Sequence, residues 1–423
     1  MGIVPQFLVW WKQIRRWRIA RAGRFAALAA IFLRGDRDRR FYCPMKILSS
    51  FVATGLCVSW ATFGQAKTYI AYVGTYTGEH SKGIHAFRFD SDSGRVDALG
   101  MVAETPNPTF LALHPNGHFL YAANEVADFH GTHGGSISAY KIDPATGKLT
   151  LLGAAPTTGD GPCHVNVDAS GRHVLFANYG GGSVGSLPIQ PDGGVGPGGT
   201  FFQHTGSSVD ANRQKGPHAH SMNLSPDNRF AFACDLGTDE VRVYRLDPTQ
   251  GLVAAPELTA KAVPGGGPRH LTFGADGRHV YVNNEMLSSV TTFAYDPAQG
   301  RLQRQETVST LPVSFSGNSS TAEVRTSPDG KWLFVSNRGH DSLARFKIDA
   351  PSGKLTAAGH IPTGGRTPRN FCPSPDGKFI WAANQDTDNI RIFRFDSKTG
   401  ELTPSGTDLK VGRPVCIRFL ELK

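Results

Sequence analysis

From residue 67 onward, apolar residues come in short runs with a period of two, and each run is bounded by Gly, Pro, Asp or Asn. HFLYAANE (118–125), HVLFANYG (173–180), HVYVNNEM (279–286), KWLFVSNR (331–338) and KFIWAANQ (378–385) are apolar runs of strand length. EVRVYRL (240–246) and NIRIFRF (389–395) alternate strictly, as half-buried strands do.

The punctuation repeats. An Asp or Gln, a few polar residues, a Gly and an apolar residue recur seven times, with the glycine at 94, 147, 194, 251, 300, 353 and 400. The spacings are 53, 47, 57, 49, 53 and 47 residues, a mean of 51, and the third copy is degenerate. A second turn, of the form SPDG, falls between them six times and ends at Gly117, Gly171, Asn228, Gly277, Gly330 and Gly377. Each unit therefore consists of strand, turn, strand, loop, strand, hairpin and strand.

Four strands per unit of about 50 residues is the pattern of a propeller blade. The missing seventh SPDG turn accounts for the chain ends. TYIAYVGTYTG (68–78) is patterned like a second strand with nothing before it, and RPVCIRFLEL (413–422) like a first strand with nothing after it. The expected fold is all-β: a seven-bladed β-propeller with four antiparallel strands per blade. Its ring is closed by the N- and C-terminal strands sharing blade seven, which removes the open edge of a linear array.

Charge changes the picture only at the N-terminus. The formal net charge is +9, but residues 1–46 hold eleven Lys/Arg and two Asp, which is the entire excess. Residues 67–423 are neutral overall and give no electrostatic footprint for nucleic acid. Residues 45–66, Met-Lys followed by ILSSFVATGLCVSWATFGQA, have the basic start, apolar run and small-residue end of a signal peptide. Leu56 before Cys57 argues against a lipoprotein site. We therefore divide the chain into a basic extension 1–44, a signal peptide 45–66 and a propeller 67–423. Met45 is the expected start, and residues 1–44 are expected to be an over-extended reading of the gene. A basic amphipathic membrane anchor is the alternative, because Trp10, Trp11 and Trp17 interleave with Arg. The expected location is periplasmic or secreted, without stable membrane association after cleavage. Intact-mass measurement of the native protein decides the start.

Cys163, Cys234, Cys372 and Cys416 are far apart and lack CxxC spacing, so zinc and a disulfide framework are both poor readings. In a propeller the innermost strands meet around a central channel. The polar residues at that repeat position and after the second strands differ from blade to blade: His164, His220, Arg269, His270, Glu285, Glu323, Arg338 and Arg369. Differences between blades are how a ring acquires one site. The cations suit an anionic or carbonyl-bearing ligand, and His and Glu transfer protons near neutral pH. By contrast, Asn124, Asn178, Asn284, Asn337 and Asn384 recur at one position, which points to loop-tying amides. No G-x-S-x-G motif occurs, which disfavours a serine hydrolase. His218-Ala-His220 is at most half a metal site; no metal or other cofactor is expected. His130 and His133 sit in a Gly-rich loop read as solvated, and Gly180–Gly182 opens no helix for a phosphate cradle.

PCHVNVDASGRHVLFANYGGGSV (162–184), HAHSMNLSPDNRFAF (218–232), GGGPRHLTFGADGRHVYVNNEMLSSV (265–290), AEVRTSPDGKWLFVSNRG (322–339) and PRNFCPSPDGKFIWAANQ (368–385) resemble the seven-bladed propeller lactonase family. That family includes the propeller-type 6-phosphogluconolactonases and is related to the carboxymuconate cyclases. The resemblance covers 67–423. It implies metal-free hydrolysis of a sugar-type lactone, a small-molecule partner and no cofactor. Carried onto this chain, it implies a catalytic set of His220, Glu323, Arg269 and Arg338, with His220 or Glu323 as general base and the two arginines on the oxyanion. It implies His164, His270, Glu285 and Arg369 around the substrate. An exported chain sits poorly with a phosphorylated cytosolic lactone, so an unphosphorylated aldonolactone is an equal candidate. The insertion 196–216 is placed to shape the pocket mouth. Two other functions stand beside the lactonase: an exported propeller that only binds a ligand or partner, and a muconate-type cyclase.

Overall fold

The computed structural model describes residues 67–129 and 131–422. The expected basic extension 1–44 and signal peptide 45–66 lie outside the described residues. Among the described residues there is no α-helix, only two short 3-10 turns. None of their helices is long and apolar enough to cross a membrane.

Seven antiparallel blade sheets follow one another along the described chain, four-stranded in every blade but the third, whose outer strand is split in two; a two-stranded ribbon, Asp128–Phe129 with Thr132–His133, is added in the loop of blade one. We number them in order: blade one 108–156, two 162–203, three 219–261, four 268–309, five 320–362, six 368–410, and blade seven from 414–421 with 68–104. In blade seven the innermost strand is Pro414–Glu421, from the C-terminus, and it pairs with Thr68–Thr75, from the N-terminus. The register runs from Tyr69↔Glu421 to Thr75↔Pro414. The ring is thus closed by backbone hydrogen bonds between the two ends of the propeller. Aromatic packing supports the seam: Trp381 of blade six lies edge-on to Phe89 and Phe419 of blade seven, each at 5.2 Å.

The turn residues form these corners because the backbone there is left-handed. Gly117, Gly171, Gly277, Gly330 and Gly377 have φ between 63° and 75°, and Asn228, at 58°, takes the same place in blade three. One hairpin differs from the sequence expectation. In blade two the left-handed residue is Gly193, not Gly194. Its N–H donates to Gln190 three residues back, whereas Gly94, Gly147, Gly300, Gly353 and Gly400 each donate four residues back. The turn is one residue tighter. Blade three also departs from the plan: its outer strand breaks at Pro256, which has no N–H for the ladder, and resumes as Ala260–Lys261.

The recurring asparagines are structural. All five are fully buried, and each amide ties its blade to a neighbouring loop or strand. Asn337 Nδ2 donates to the Thr310 carbonyl and its Oδ1 accepts from Thr310 Oγ1, both at 2.7 Å. Asn337→Ala strands these buried partners, and we expect a loss of about 1–3 kcal/mol in denaturant unfolding.

One irregularity positions the site. The innermost strands of blades one, two, three, four and six slip register at the same place, between Pro108/Phe110, Pro162/His164, Ala219/Ser221, Pro268/His270 and Pro368/Asn370. Each bulge leaves one residue outside the ladder: Thr109, Cys163, His220, Arg269 and Arg369. A bulge re-aims its extra side chain, and here the five converge on one end of the central channel.

Candidate active site

Those five side chains line a narrow pocket of about 10 Å³, together with Phe110, His270, Val415 and Glu125. That is room for about one water, well below the ~300–1,000 Å³ of most ligand sites. A roomier groove of about 470 Å³ opens on the outer rim between blades one and two, but its walls carry no titratable side chain.

A second repeat position, at or just past the end of each second strand, holds Tyr76, Glu125, Tyr179, Leu236, Glu285, Arg338 and Gln385; Glu125 lines the pocket, and Tyr76 and Glu285 bond residues of its wall. On one side Glu285 is held by three arginines. Oε2 accepts from Arg269 Nε and is paired with Arg338 Nη2, both at 3.0 Å, and Oε1 accepts from Arg213 Nη2 at 2.8 Å. Burial works against its charge, yet Arg338, Arg269 and Arg213 hold the carboxyl well below the usual range. Arg269 also donates to the Ala322 carbonyl. Burial, with Arg338 and Arg369 nearby, lowers Arg269 to about 10, so it stays a cation at neutral pH.

On the other side Glu125 accepts from Tyr76 Oη at 2.9 Å and from Thr109 Oγ1 at 2.6 Å. Arg369 donates to Tyr76 Oη at 3.1 Å and lies over its ring. Four guanidinium groups therefore stand against two carboxylates around the pocket, a cationic surplus facing its mouth.

His220 borders this surplus. Burial, then Arg269, pushes its pKa well below the ordinary value, so the ring is neutral. Cys163 Sγ lies 3.3 Å from the His220 carbonyl, the acceptor for its one proton, and 3.7 Å from His220 Nδ1. Nδ1 then carries hydrogen toward sulfur, and Nε2 is the free acceptor. Burial raises the Cys163 thiol, which is no nucleophile at neutral pH.

Beneath the pocket lies a closed layer: Phe110, His164, Ser221, His270, Glu323, Asn370 and Cys416, none more than 4% exposed. Rings pack across the channel here, with Phe110 and His164 centroids 4.1 Å apart and His270 at 5.6 and 5.4 Å from each. Glu323 accepts from Asn370 Nδ2 at 2.5 Å and Val324 N at 3.1 Å, and is paired with His270 Nδ1 at 3.1 Å. Burial opposes its charge; Arg325 and His270 overrule it and keep the carboxyl ionised. Of the eight residues singled out in the sequence, then, His220, Arg269, His270 and Arg369 line the pocket. Glu285 and Arg338 buttress its rim. His164 and Glu323 stand in the layer below.

Tyr76, Thr109, Glu125 and Arg213 join the site without having been singled out. Glu125 shares its repeat position and the preceding Asn with Glu285, which was a usable signal. Tyr179 stacks on His218 at 4.7 Å and meets His220 edge-on at 5.2 Å, so His218 and His220 flank one phenol.

Comparison with known proteins decides the lineage. Residues 70–419 match the family model described as lactonase, 7-bladed beta-propeller. The chain belongs to the seven-bladed β-propeller lactonase family. A relative named 6-phosphogluconolactonase from Bacillus subtilis is 36% identical over 303 residues, 72% of this lactonase-family chain and 84% of its own. The solved periplasmic gluconolactonase of Pseudomonas aeruginosa superposes with a TM-score of 0.79 at 35% identity, covering 84% of this chain and all of its own. A putative 6-phosphogluconolactonase structure from Bacteroides fragilis gives 0.77 at 36%, covering 83% and 98%.

The buried histidines make this lactonase-family propeller acid-sensitive. His164, His220 and His270 all have pKa values below the unfolded value, His270 at about 4 and burial the first cause in each. Below about pH 6.5 the unfolded chain takes up protons that the folded chain refuses, so stability falls with pH. Glu285 and Glu323, also depressed, extend the loss below the carboxylate range. We expect the melting temperature to drop from pH 7 to pH 5, and less steeply in His164→Gln.

Proposed function

We propose that the protein is an exported hydrolase of sugar-acid lactones, acting by general acid–base catalysis from its own side chains. The observation that carries this reading is the juxtaposition of neutral His220 and cationic Arg269 on bulges of adjacent blades, facing one pocket. Water attacks the lactone carbonyl as His220 Nε2 takes its proton. Arg269 receives the oxyanion, oriented by Glu285, which Arg338 fixes from behind. The tetrahedral intermediate collapses, the ring C–O bond breaks and His220 returns the proton to the leaving oxygen. The product is a hydroxy acid, whose carboxylate keeps a cation beside it. Arg369, which has no carboxylate partner of its own among the described residues and donates to Tyr76, takes the substrate's hydroxyls or anionic group.

Export is supported by the pattern of residues 45–66, and one solved relative is named as periplasmic. The test is a pH-stat assay on gluconolactone and 6-phosphogluconolactone, corrected for spontaneous opening, with and without chelator. Turnover that survives chelator supports the proposal and ranks the two substrates. No turnover above the spontaneous rate on either lactone overturns it in favour of a ligand-binding propeller.

A further inference from the structure

The same strands that build the pocket build a second opening. Strand side chains alternate, so two residues beyond the closed layer the innermost strands again present one ring to the channel. Its members are Ala112, Asn166, Asn223, Thr272, Arg325, Cys372 and Arg418. Six of the seven are polar or thiol-bearing and half-buried, whereas every residue of the layer above is buried. The closed layer therefore separates this mouth from the pocket where His220 and Arg269 stand. None of the seven lines that pocket.

Two guanidinium groups dominate the mouth, and both are poorly spent. Arg325, on blade five, reaches Glu323 only at 3.4 Å (Nε to Oε1) and 3.5 Å (Nη2 to Oε2), and its buried Nε has no hydrogen-bond acceptor among the described residues. Its side chain is 33% exposed. Arg418, on blade seven, donates once, to the Ile417 carbonyl at 2.7 Å, and lies over the Phe110 ring at 4.6 Å. Cys372, on the blade between, feels both: its thiol is raised by burial and pulled down by Arg418 and Arg325. Glu323 supplies one negative charge to this end, and its oxygens are already taken up by Asn370, His270 and the Val324 amide. Two cations against one engaged carboxylate, half out of water, leave a positive charge with open donors. A guanidinium fork matches the oxygens of a carboxylate or phosphate.

We propose that this opposite mouth of the channel is a second anion-binding site, for a small carboxylate or phosphate, held between Arg325 and Arg418 with Cys372 at its wall. The site stands apart from the hydrolytic pocket and does not depend on the reaction assigned there.

Calorimetric titration of the full chain with inorganic phosphate, and separately with gluconate, tests it. The background is Arg269→Gln/Arg369→Gln, in which the upper pocket has lost the two cations that line it, while Arg213 and Arg338 stay paired with Glu285. One equivalent of binding is expected to remain and to weaken at least tenfold on adding Arg325→Gln and Arg418→Gln. Whichever anion binds tighter identifies the source. No binding to the background variant, or binding that the lower substitutions leave unchanged, overturns the proposal. A site-specific readout needs no pocket variant. The part of thiol labelling lost in Cys372→Ser is expected to be faster with a dianionic aromatic disulfide than with an uncharged thiosulfonate. It is also expected to slow in millimolar phosphate. Equal slowing in Arg325→Lys/Arg418→Lys and in the glutamine pair would show that charge and fork play no part, and would count against the site.

Discussion

Replacing Arg269 by methionine is expected to lower kcat for lactone hydrolysis by about 10²–10³-fold, the effect of removing one preorganised oxyanion donor. The fold should survive the change. Glu285 keeps Arg338 and Arg213, at 3.0 and 2.8 Å, so no buried carboxylate is left unpaired. Methionine fills the space of the stem without a charge. Arg338→Met removes a different thing: it leaves Arg269 in the pocket but loosens Glu285, which orients it. A smaller fall is expected there, about tenfold. Steady-state kinetics on both variants, with melting temperatures as the control, separates the roles. If Arg338→Met costs more than Arg269→Met, the oxyanion donor has been placed on the wrong guanidinium.

That ranking rests on geometry the sequence did not carry. Turn chemistry is local, so the repeated Asp, Gly and SPDG signals gave the blades, their number and the split seventh blade directly. The pair Gly193–Gly194 resisted the same logic, because adjacent glycines look alike until the hydrogen bond from Gly193 to Gln190 selects one. The eight polar residues were legible as a group for the same local reason: each falls at a repeat position near the axis. Their depths were not legible. His164 and His220 both precede an SPDG-type turn, yet one lies in the closed layer and the other on the pocket wall. The difference is one residue of offset from the turn, seven residues before Gly171 against eight before Asn228, and only the bulge shared by both strands tells which offset faces the pocket. Arg213 was hidden for another reason. It lies in the blade-two insertion, which has no counterpart in other blades, and reaches Glu285 from 72 residues away. It is presented by a small closed loop in which Asp210 Oδ1 caps the Arg213 amide and buried Gln214 donates to the Leu236 carbonyl.

His220→Gln is expected to reduce kcat by about 10²–10⁴-fold, the range for loss of a positioned general base. Glutamine keeps a polar side chain of similar reach, and the native ring is neutral, so stability near pH 7 should change little. The pH profile gives the sharper reading. With its pKa held below the ordinary histidine value, chiefly by burial and next by Arg269, His220 remains unprotonated as pH falls through 6.5. Wild-type activity should therefore persist below pH 6.5 and decline only as the ring finally protonates. In His220→Gln the break at that pKa should vanish, the residual rate following hydroxide and falling about tenfold per pH unit throughout. Arg269→Met removes a neighbouring positive charge, so in that variant the limb should move to higher pH. Glu323→Gln is the counter-test. Its carboxylate lies under His270, with Asn370 and the Val324 amide on its oxygens, and it does not line the pocket. Its loss should cost stability and flatten the acid dependence of melting only below the carboxylate range, where its own depressed pKa acts, while leaving kcat within about tenfold. If instead Glu323→Gln abolishes turnover and His220→Gln does not, the base is the carboxylate, and water must reach it through a layer that is closed in this structure.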